Sequence, residues 1–183
     1  MSITAQQARE VLEQADLLYS EDQVEAALTH MAAAISTQLS NSNPLVLCVM
    51  TGGMITAGKL LTQLQFPLQL DYIHVTRYGG TTQGGKLHWL ARPTHALQDR
   101  AILVVDDIFD EGVTLTAIVE ECRAAGASEV YSVALVDKLH DRKQGMRADF
   151  VGLTVADRYV FGYGMDYHGY LRNAPGIYAV KDN

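Results

Sequence analysis

The sequence predicts an α/β fold, a parallel sheet flanked by helices with a small accessory lobe built from the terminal segments. Three observations lead there. Short continuous apolar runs, Leu45–Met50 and Ala101–Val105 foremost, have the pattern of strands buried on both faces. Helical periodicity fills the stretches between such runs, and strands that alternate with helices build a parallel sheet. The 183 residues are 48% hydrophobic and 19% charged, enough to bury one ordinary core. No repeat, low-complexity tract or long linker divides them, so 1–183 reads as a single domain. This composition excludes a disordered chain, a collagen-like repeat and a disulfide-stapled miniprotein.

Residues 1–40 are helical in pattern. A first, short helix is expected from Gln7 to Tyr19, with Val11, Leu12, Leu17 and Leu18 inward. Ser20-Glu21-Asp22-Gln23 then fits a capping box, in which the serine oxygen takes an orphan N–H and Gln23 reaches back. Behind it Val24, Ala27, Leu28, Met31, Ile35 and Leu39 form one apolar stripe at helical spacing. Asn41-Ser42-Asn43-Pro44 stops that helix. After the strand at Leu45–Met50, Thr51-Gly52-Gly53 breaks the chain and Met54 to Gln65 is helical. Leu70 to Thr76 reads as a strand, and Gly79 to Gly85 is too glycine-rich for regular structure, which makes it a flexible loop. Lys86 to Ala91 returns as a strand and completes a hairpin. Ala101–Val105 is followed by a helix from Thr114 to Ala125, ended by Gly126. Further strands are expected at Val130–Val136, Phe150–Val155 and Ile177–Val180.

The net charge of −7 repels phosphate backbones, and the 14 Lys+Arg never cluster into a basic stripe. Nucleic acid is therefore not the expected partner. Cys48 and Cys122 have no cysteine or histidine at zinc-ligand spacing and read as reduced thiols. The N-terminus lacks the basic start and apolar block of a signal peptide, and no apolar run approaches the roughly 20 residues of a membrane span. The expected setting is cytoplasmic, with no membrane partner.

The chemistry concentrates in Ile102-Leu-Val-Val-Asp106-Asp107-Ile108-Phe109-Asp110-Glu111-Gly112-Val113-Thr114. An apolar strand runs into two acids, a third acid, a glycine turn and a helix. In open α/β sheets ligands bind beyond the carboxyl ends of strands. Turn N–H groups and a helix start favour an anion, Gly112 allows close backbone approach, and the Thr114 hydroxyl adds a donor. Carboxylates beside a bound phosphate repel it unless a divalent cation lies between, so Mg²⁺ is implied. The plain alternative is that Asp110 and Thr114 cap the helix while Asp106 and Asp107 sit in a solvated loop.

The full pattern of four apolar residues, Asp-Asp, two apolar, Asp, X, Gly, X, Thr resembles the phosphoribosyl-pyrophosphate (PRPP) signature of type I phosphoribosyltransferases. The resemblance extends in order along the chain. Arg158-Tyr-Val-Phe-Gly-Tyr-Gly-Met-Asp166-Tyr167, with Arg172-Asn173 and Pro175 behind it, is similar to the purine-site signature of bacterial hypoxanthine-guanine phosphoribosyltransferases. Leu135-Val-Asp-Lys138 is similar to that family's lysine-bearing loop. Met50-Thr51-Gly52-Gly53 falls at its pyrophosphate loop, which has a cis peptide before the second residue. Arg77-Tyr78 precedes the glycine-rich segment at the place of its lid.

The resemblance implies a phosphoribosyltransferase fold with a hood from roughly 1–20 and 156–183 and a lid at Tyr78, Gly79 and Gly80. It implies Mg²⁺-dependent transfer of phosphoribosyl from PRPP to hypoxanthine or guanine, releasing pyrophosphate. Asp106 and Asp107 would meet the ribose hydroxyls and the metal, Asp110 would be the general acid/base at purine N7, and residues 110–114 would hold the 5′-phosphate. Lys138 would donate to the 6-oxo group, Tyr159 would stack on the base, and the Val160 backbone would read its edge. Asp166 would hold a second Mg²⁺ on pyrophosphate, which Thr51, Gly52, Arg77 and Arg172 would contact. Members of the family form homodimers or homotetramers.

Three positions depart from the family pattern. Glu111 stands where a threonine or serine is usual, Thr51 where lysine is frequent, and Arg77 where many members have serine. The rival functions are a xanthine-preferring enzyme, a nucleotide-sensing RNA-binding regulator on the same fold, and a phosphoacceptor signalling domain. The six histidines form no ligand-spaced pair and receive no catalytic role.

Overall fold

A computed structural model describes residues 3–77 and 87–181 of the chain. Tyr78, Gly79 and Gly80, expected as a lid, and the remainder of the glycine-rich segment lie outside the described residues. The N-terminal helix α1 (Ala5–Gln14) starts on a Thr4–Gln7 capping box, and β1 (Asp16–Ser20) follows at once. The helix expected from Gln7 to Tyr19 is therefore half helix, half strand. Asp16 to Ser20 pair antiparallel with β9 (Gly176–Ala179), and this tertiary pairing overrides the local helical pattern. Leu17, expected inward, is exposed, while Leu18 packs on the core.

Ser20 and Gln23 form the expected capping box at the start of α2 (Glu21–Leu39), and all six residues of its apolar stripe are buried. The six-stranded sheet has the order β4-β3-β2-β5-β6-β7. Its strands are β2 (Leu45–Met50), β3 (Gln69–Arg77), β4 (Leu87–Ala91), β5 (Ala101–Phe109), β6 (Glu129–Leu139) and β7 (Phe150–Ala156). Neighbours are parallel except β4, which returns against β3 as the expected hairpin. α2 and α3 (Gly53–Leu61) cover one face, where Leu28, Ile35 and Leu60 meet Val46, Leu103 and Leu135. α4 (Val113–Ala124) covers the other, with Leu115, Ile118 and Cys122 on Leu45, Ile73 and Val104. Cys48 and Cys122 are free thiols, and burial pushes each to a pKa of about 11.

A second sheet, β1-β9-β8, joins the two ends of the chain, with β8 at Val160–Phe161. Arg158 ties it together by donating to Asp16 Oδ2 at 2.6 Å and to the Val180 carbonyl at 2.9 Å. Tyr163, from the segment after β8, donates its hydroxyl to Glu25 of α2, which also pairs with Lys59 of α3 at 2.7 Å. The terminal sheet is thereby anchored over the carboxyl ends of the central strands.

Candidate active site

The sequence pattern ends a strand at Val105 and leaves the acids in the turn beyond it. The structure instead carries β5 through Phe109, because β6 also runs on and supplies partners: Asp106 faces Ala134, Ile108 faces Val136 and Phe109 faces Asp137. Asp106 and Asp107 are thus the last buried rung of the sheet, each 8% exposed, and not a solvated loop. The Asp107 N–H donates to Asp106 Oδ1 at 3.0 Å and the Ile108 N–H to Asp107 Oδ1 at 2.8 Å. Burial, and then the neighbouring Asp107 charge, push the Asp106 carboxyl well above the usual carboxylate range. Burial raises Asp107 too, against relief from its hydrogen bonds and from Arg172.

β2 ends at the same level, in a cis peptide between Met50 and Thr51. Gly52 then passes so close to Asp107 that a Cβ there would lie 2.1 Å from its carboxylate oxygen. Only glycine lets this turn and the acid pair share one floor. Arg172 reaches in from the 162–173 segment, 4.0 Å from Asp107 Oδ2 and 2.7 Å from Asp166 Oδ1. Asp166 also accepts the Gly169 N–H at 2.7 Å, so it forms its own turn and holds Arg172.

Past β5, Gly112 caps α4 in the left-handed region at φ 85°. A Cβ there would meet the Phe109 ring and the Gln144 carbonyl at 2.7 Å. Gly112, Thr114 and Leu115 at the start of α4 line the same cavity as the acid pair, and the N–H groups of a helix start favour an anion. Asp110 stands beside it with a 44% exposed side chain. Lys138 Nζ lies 3.3 Å from its Oδ2 and His140 Nε2 lies 2.6 Å from its Oδ1. Burial alone would raise this carboxyl, but His140 and Lys138 outweigh it and hold it below the usual value. Lys138 is on β6, paired with Val155, and not in a loop as its charged surroundings suggest. A rigid strand therefore aims it.

Two adjoining cavities result. One, of about 420 Å³, is lined by Thr51, Gly52, Asp106, Asp107, Gly112, Thr114 and Arg172 among others. The second, of about 280 Å³, is lined by Lys138, Tyr159, Val160 and Met165. Asp107, Asp110 and Asp166 line both. Tyr159 is half exposed and edged by Tyr167, with ring centroids 5.4 Å apart. Glu111 and Val113 share the turn but line neither cavity, and Arg77 ends β3. His140 is the residue the sequence pattern misses. It lies 30 positions from Asp110, so no spacing rule joins them.

The acid pair offers hard oxygen donors that repel one another, which suits Mg²⁺. Among the described residues no group of three or more His, Cys, Asp or Glu is placed to enclose a metal ion. That donor set fits a cation whose shell is completed by phosphate oxygens and water, as Mg²⁺ prefers.

Residues 14–168 match the phosphoribosyl transferase domain family. The chain is 32% identical over 166 residues to the hypoxanthine-guanine phosphoribosyltransferase of Bacillus subtilis, covering 90% of this chain and 92% of that one. It is 30% identical over 168 residues to the hypoxanthine-guanine-xanthine phosphoribosyltransferase of Tritrichomonas foetus, covering 91% and 92%. A solved hypoxanthine-guanine phosphoribosyltransferase from Bacillus anthracis superposes with a TM-score of 0.83 at 26% identity, covering 91% and 98%.

Proposed function

The chain belongs to the phosphoribosyl transferase family, and from that premise we propose that it serves purine salvage. It transfers the 5-phosphoribosyl group of PRPP to hypoxanthine or guanine and releases pyrophosphate. The observation that carries this reading is the pair of adjoining cavities sharing Asp107, Asp110 and Asp166. One is acidic with an anion cradle on its rim, and the other is aromatic with a lysine at its wall.

In the reaction the N9 lone pair of the purine attacks C1 of the ribose, and the C1–O electron pair leaves with pyrophosphate. The N7 proton passes to the Asp110 carboxylate, which stands at the boundary of the two cavities. The α4 start with Gly112, Val113 and Thr114 holds the 5′-phosphate, and Glu111 contributes its backbone. Asp106 and Asp107 hold the ribose hydroxyls. Asp106 and Asp107 would hold one Mg²⁺ and Asp166 a second, and the metal would supply charge neutralisation for the departing pyrophosphate. Thr51, Gly52, Arg77 and Arg172 receive that pyrophosphate. Lys138 donates to the 6-oxo group, so a 6-amino purine leaves its charge unanswered. Tyr159 stacks on the base and Val160 reads its edge with the backbone. The Tyr78, Gly79 and Gly80 lid belongs to this proposal on sequence grounds alone.

We assign the protein to the cytoplasm as a homodimer or homotetramer, with exposed Met54, Leu70 and Tyr72 supplying apolar surface for assembly. Nucleic acid and membrane are not among its partners. The −7 charge supports the first statement. Among the described residues no helix is long and apolar enough to cross a membrane.

The test mixes protein, PRPP and Mg²⁺ with hypoxanthine, guanine, xanthine or adenine and follows nucleotide formation. Product from hypoxanthine or guanine, lost without Mg²⁺ and cut about 10²-fold or more in Asp110→Asn, is expected. Product chiefly from xanthine or adenine would overturn the Lys138 assignment. PRPP binding without turnover, together with salt-dependent RNA binding, would favour a regulator.

A further inference from the structure

The His140 side chain is 4% exposed and sits directly behind the carboxylate that faces the purine cavity. Its two ring nitrogens are both engaged, and in a fixed sense. The Arg142 backbone N–H donates to Nδ1 at 3.1 Å, which makes Nδ1 an acceptor. The proton of the neutral ring therefore sits on Nε2, which donates to Asp110 Oδ1 at 2.6 Å. The loop carrying this donor is itself braced: the Arg142 guanidinium makes a two-pronged pair with Asp157 at 2.7 and 2.9 Å. Asp157 is two residues before Tyr159, so one strap runs from the base-stacking segment to the proton acceptor.

The other oxygen of Asp110 is held differently. Lys138 lies 3.3 Å from Oδ2, a longer contact from a flexible side chain. We infer that His140 is the positioning residue of Asp110, keeping Oδ1 in place while Oδ2 passes from Lys138 to N7–H of the purine. This rests on the functional reading above, in which Lys138 turns to the 6-oxo group when the base arrives. At that moment the carboxylate loses its ammonium partner. The Nε2–H of His140 is what then keeps the carboxylate aimed and ionised, ready to accept a proton. A carboxylate held by one long lysine contact alone would rotate about χ2 as soon as the lysine left.

The charged groups around Asp110 are few enough for its titration to be read. Lys138 and His140 approach from β6 and the loop after it, with Arg142 and Asp157 behind. Asp107 lies on the strand that precedes it, Glu111 adjoins it, and Asp166 shares its cavity.

The experiment compares wild type with His140→Leu and His140→Gln, the glutamine being able to place an N–H near the Nε2 position. Log kcat/KM for the purine is measured against pH. For His140→Leu we expect at least a 10-fold loss, carried by kcat more than by KM, and an acid limb moved to higher pH. His140→Gln restores most of both. A packing role alone would leave the acid limb where it is in both variants, and that result overturns the inference.

Two readouts need no turnover. Long-range ¹⁵N–¹H correlation on wild type should show the His140 proton on Nε2, and a proton on Nδ1 overturns the assignment. The Asp110 carboxyl, followed by ¹³C in substrate-free protein, should titrate higher in His140→Leu than in wild type, and an unchanged midpoint again overturns it. A wild type that forms no nucleotide would refute the functional reading while these two measurements still decide the role of His140.

Discussion

Gly52 and Gly58 are six positions apart, yet a methyl group has opposite consequences at the two. At Gly52 it would occupy the Asp107 carboxylate, at 2.1 Å, and one of the two must move. The acid pair and the turn proposed to receive pyrophosphate are then displaced by the better part of an ångström. Gly52→Ala should fold with an unchanged circular dichroism spectrum and lose about 10²-fold in kcat/KM for PRPP. At Gly58, in α3, an added Cβ meets nothing within 4 Å. Gly58→Ala gains helix propensity worth about 0.5–1 kcal/mol and should raise the melting temperature by about 1–4 °C with activity intact. A Gly52→Ala enzyme with full activity would show that the turn is free to relax. Proximity along the chain decides which site residues are visible in the sequence. Asp106, Asp107, Asp110, Gly112 and Thr114 fall within nine consecutive positions, so their order alone exposes the cradle. His140 contributes to the same site from 30 residues away, through the path of β6, and no local pattern reports such a contact.

At the scale of elements, agreement with the sequence follows burial. β2 and α2 are recognisable because each buries a continuous run or stripe, and every expected inward residue of α2 is buried. β1 is not, because its five residues alternate weakly and its strand conformation comes from β9, more than 150 positions away. The same non-local logic joins β3 to the connection before β5. Asp71 of β3 is buried and accepts the Thr94 N–H at 2.8 Å, the Thr94 hydroxyl at 3.0 Å, the His95 N–H at 3.0 Å and His95 Nδ1 at 2.8 Å. Burial alone would raise this carboxyl, but the His95, Tyr72 and Thr94 donors prevail and hold it well below the usual range. Its folded value being depressed, the carboxylate contributes stability above about pH 4, and that contribution fades as the solution is acidified through the folded value. Asp71→Asn should therefore lose about 2 kcal/mol at pH 7, a fall of about 4–8 °C in melting temperature. The gap between variant and wild type should narrow as pH drops below about 4. A gap independent of pH would mean that shape, not charge, holds the connection.

For the molecule as a whole, apolar burial builds the central sheet while buried charge opposes folding at its carboxyl end. Two helices on one face and one on the other bury a sheet of Val, Leu and Ile, and at its carboxyl end that sheet presents two acids 8% exposed and side by side. Burial penalises each charge, and the pair repels itself, with Arg172 at 4.0 Å as partial compensation for Asp107. Such an arrangement costs stability in the empty protein. Replacing Asp106 by asparagine removes the more strongly disfavoured charge while keeping the shape. In ligand-free protein at pH 7, Asp106→Asn should melt about 2–4 °C higher than wild type, as relief of about 1 kcal/mol implies. Adding PRPP with Mg²⁺ should reverse the order. Wild type gains about 2.7 kcal/mol at a ligand concentration 100-fold above Kd, whereas a variant whose affinity is reduced about 100-fold gains only about 0.4 kcal/mol. Differential scanning fluorimetry on both proteins, with and without the ligand pair, measures this crossing directly. Curves that never cross, with the variant either less stable when empty or equally stabilised when loaded, would mean that Asp106 is a structural carboxylate and that the cradle works without it.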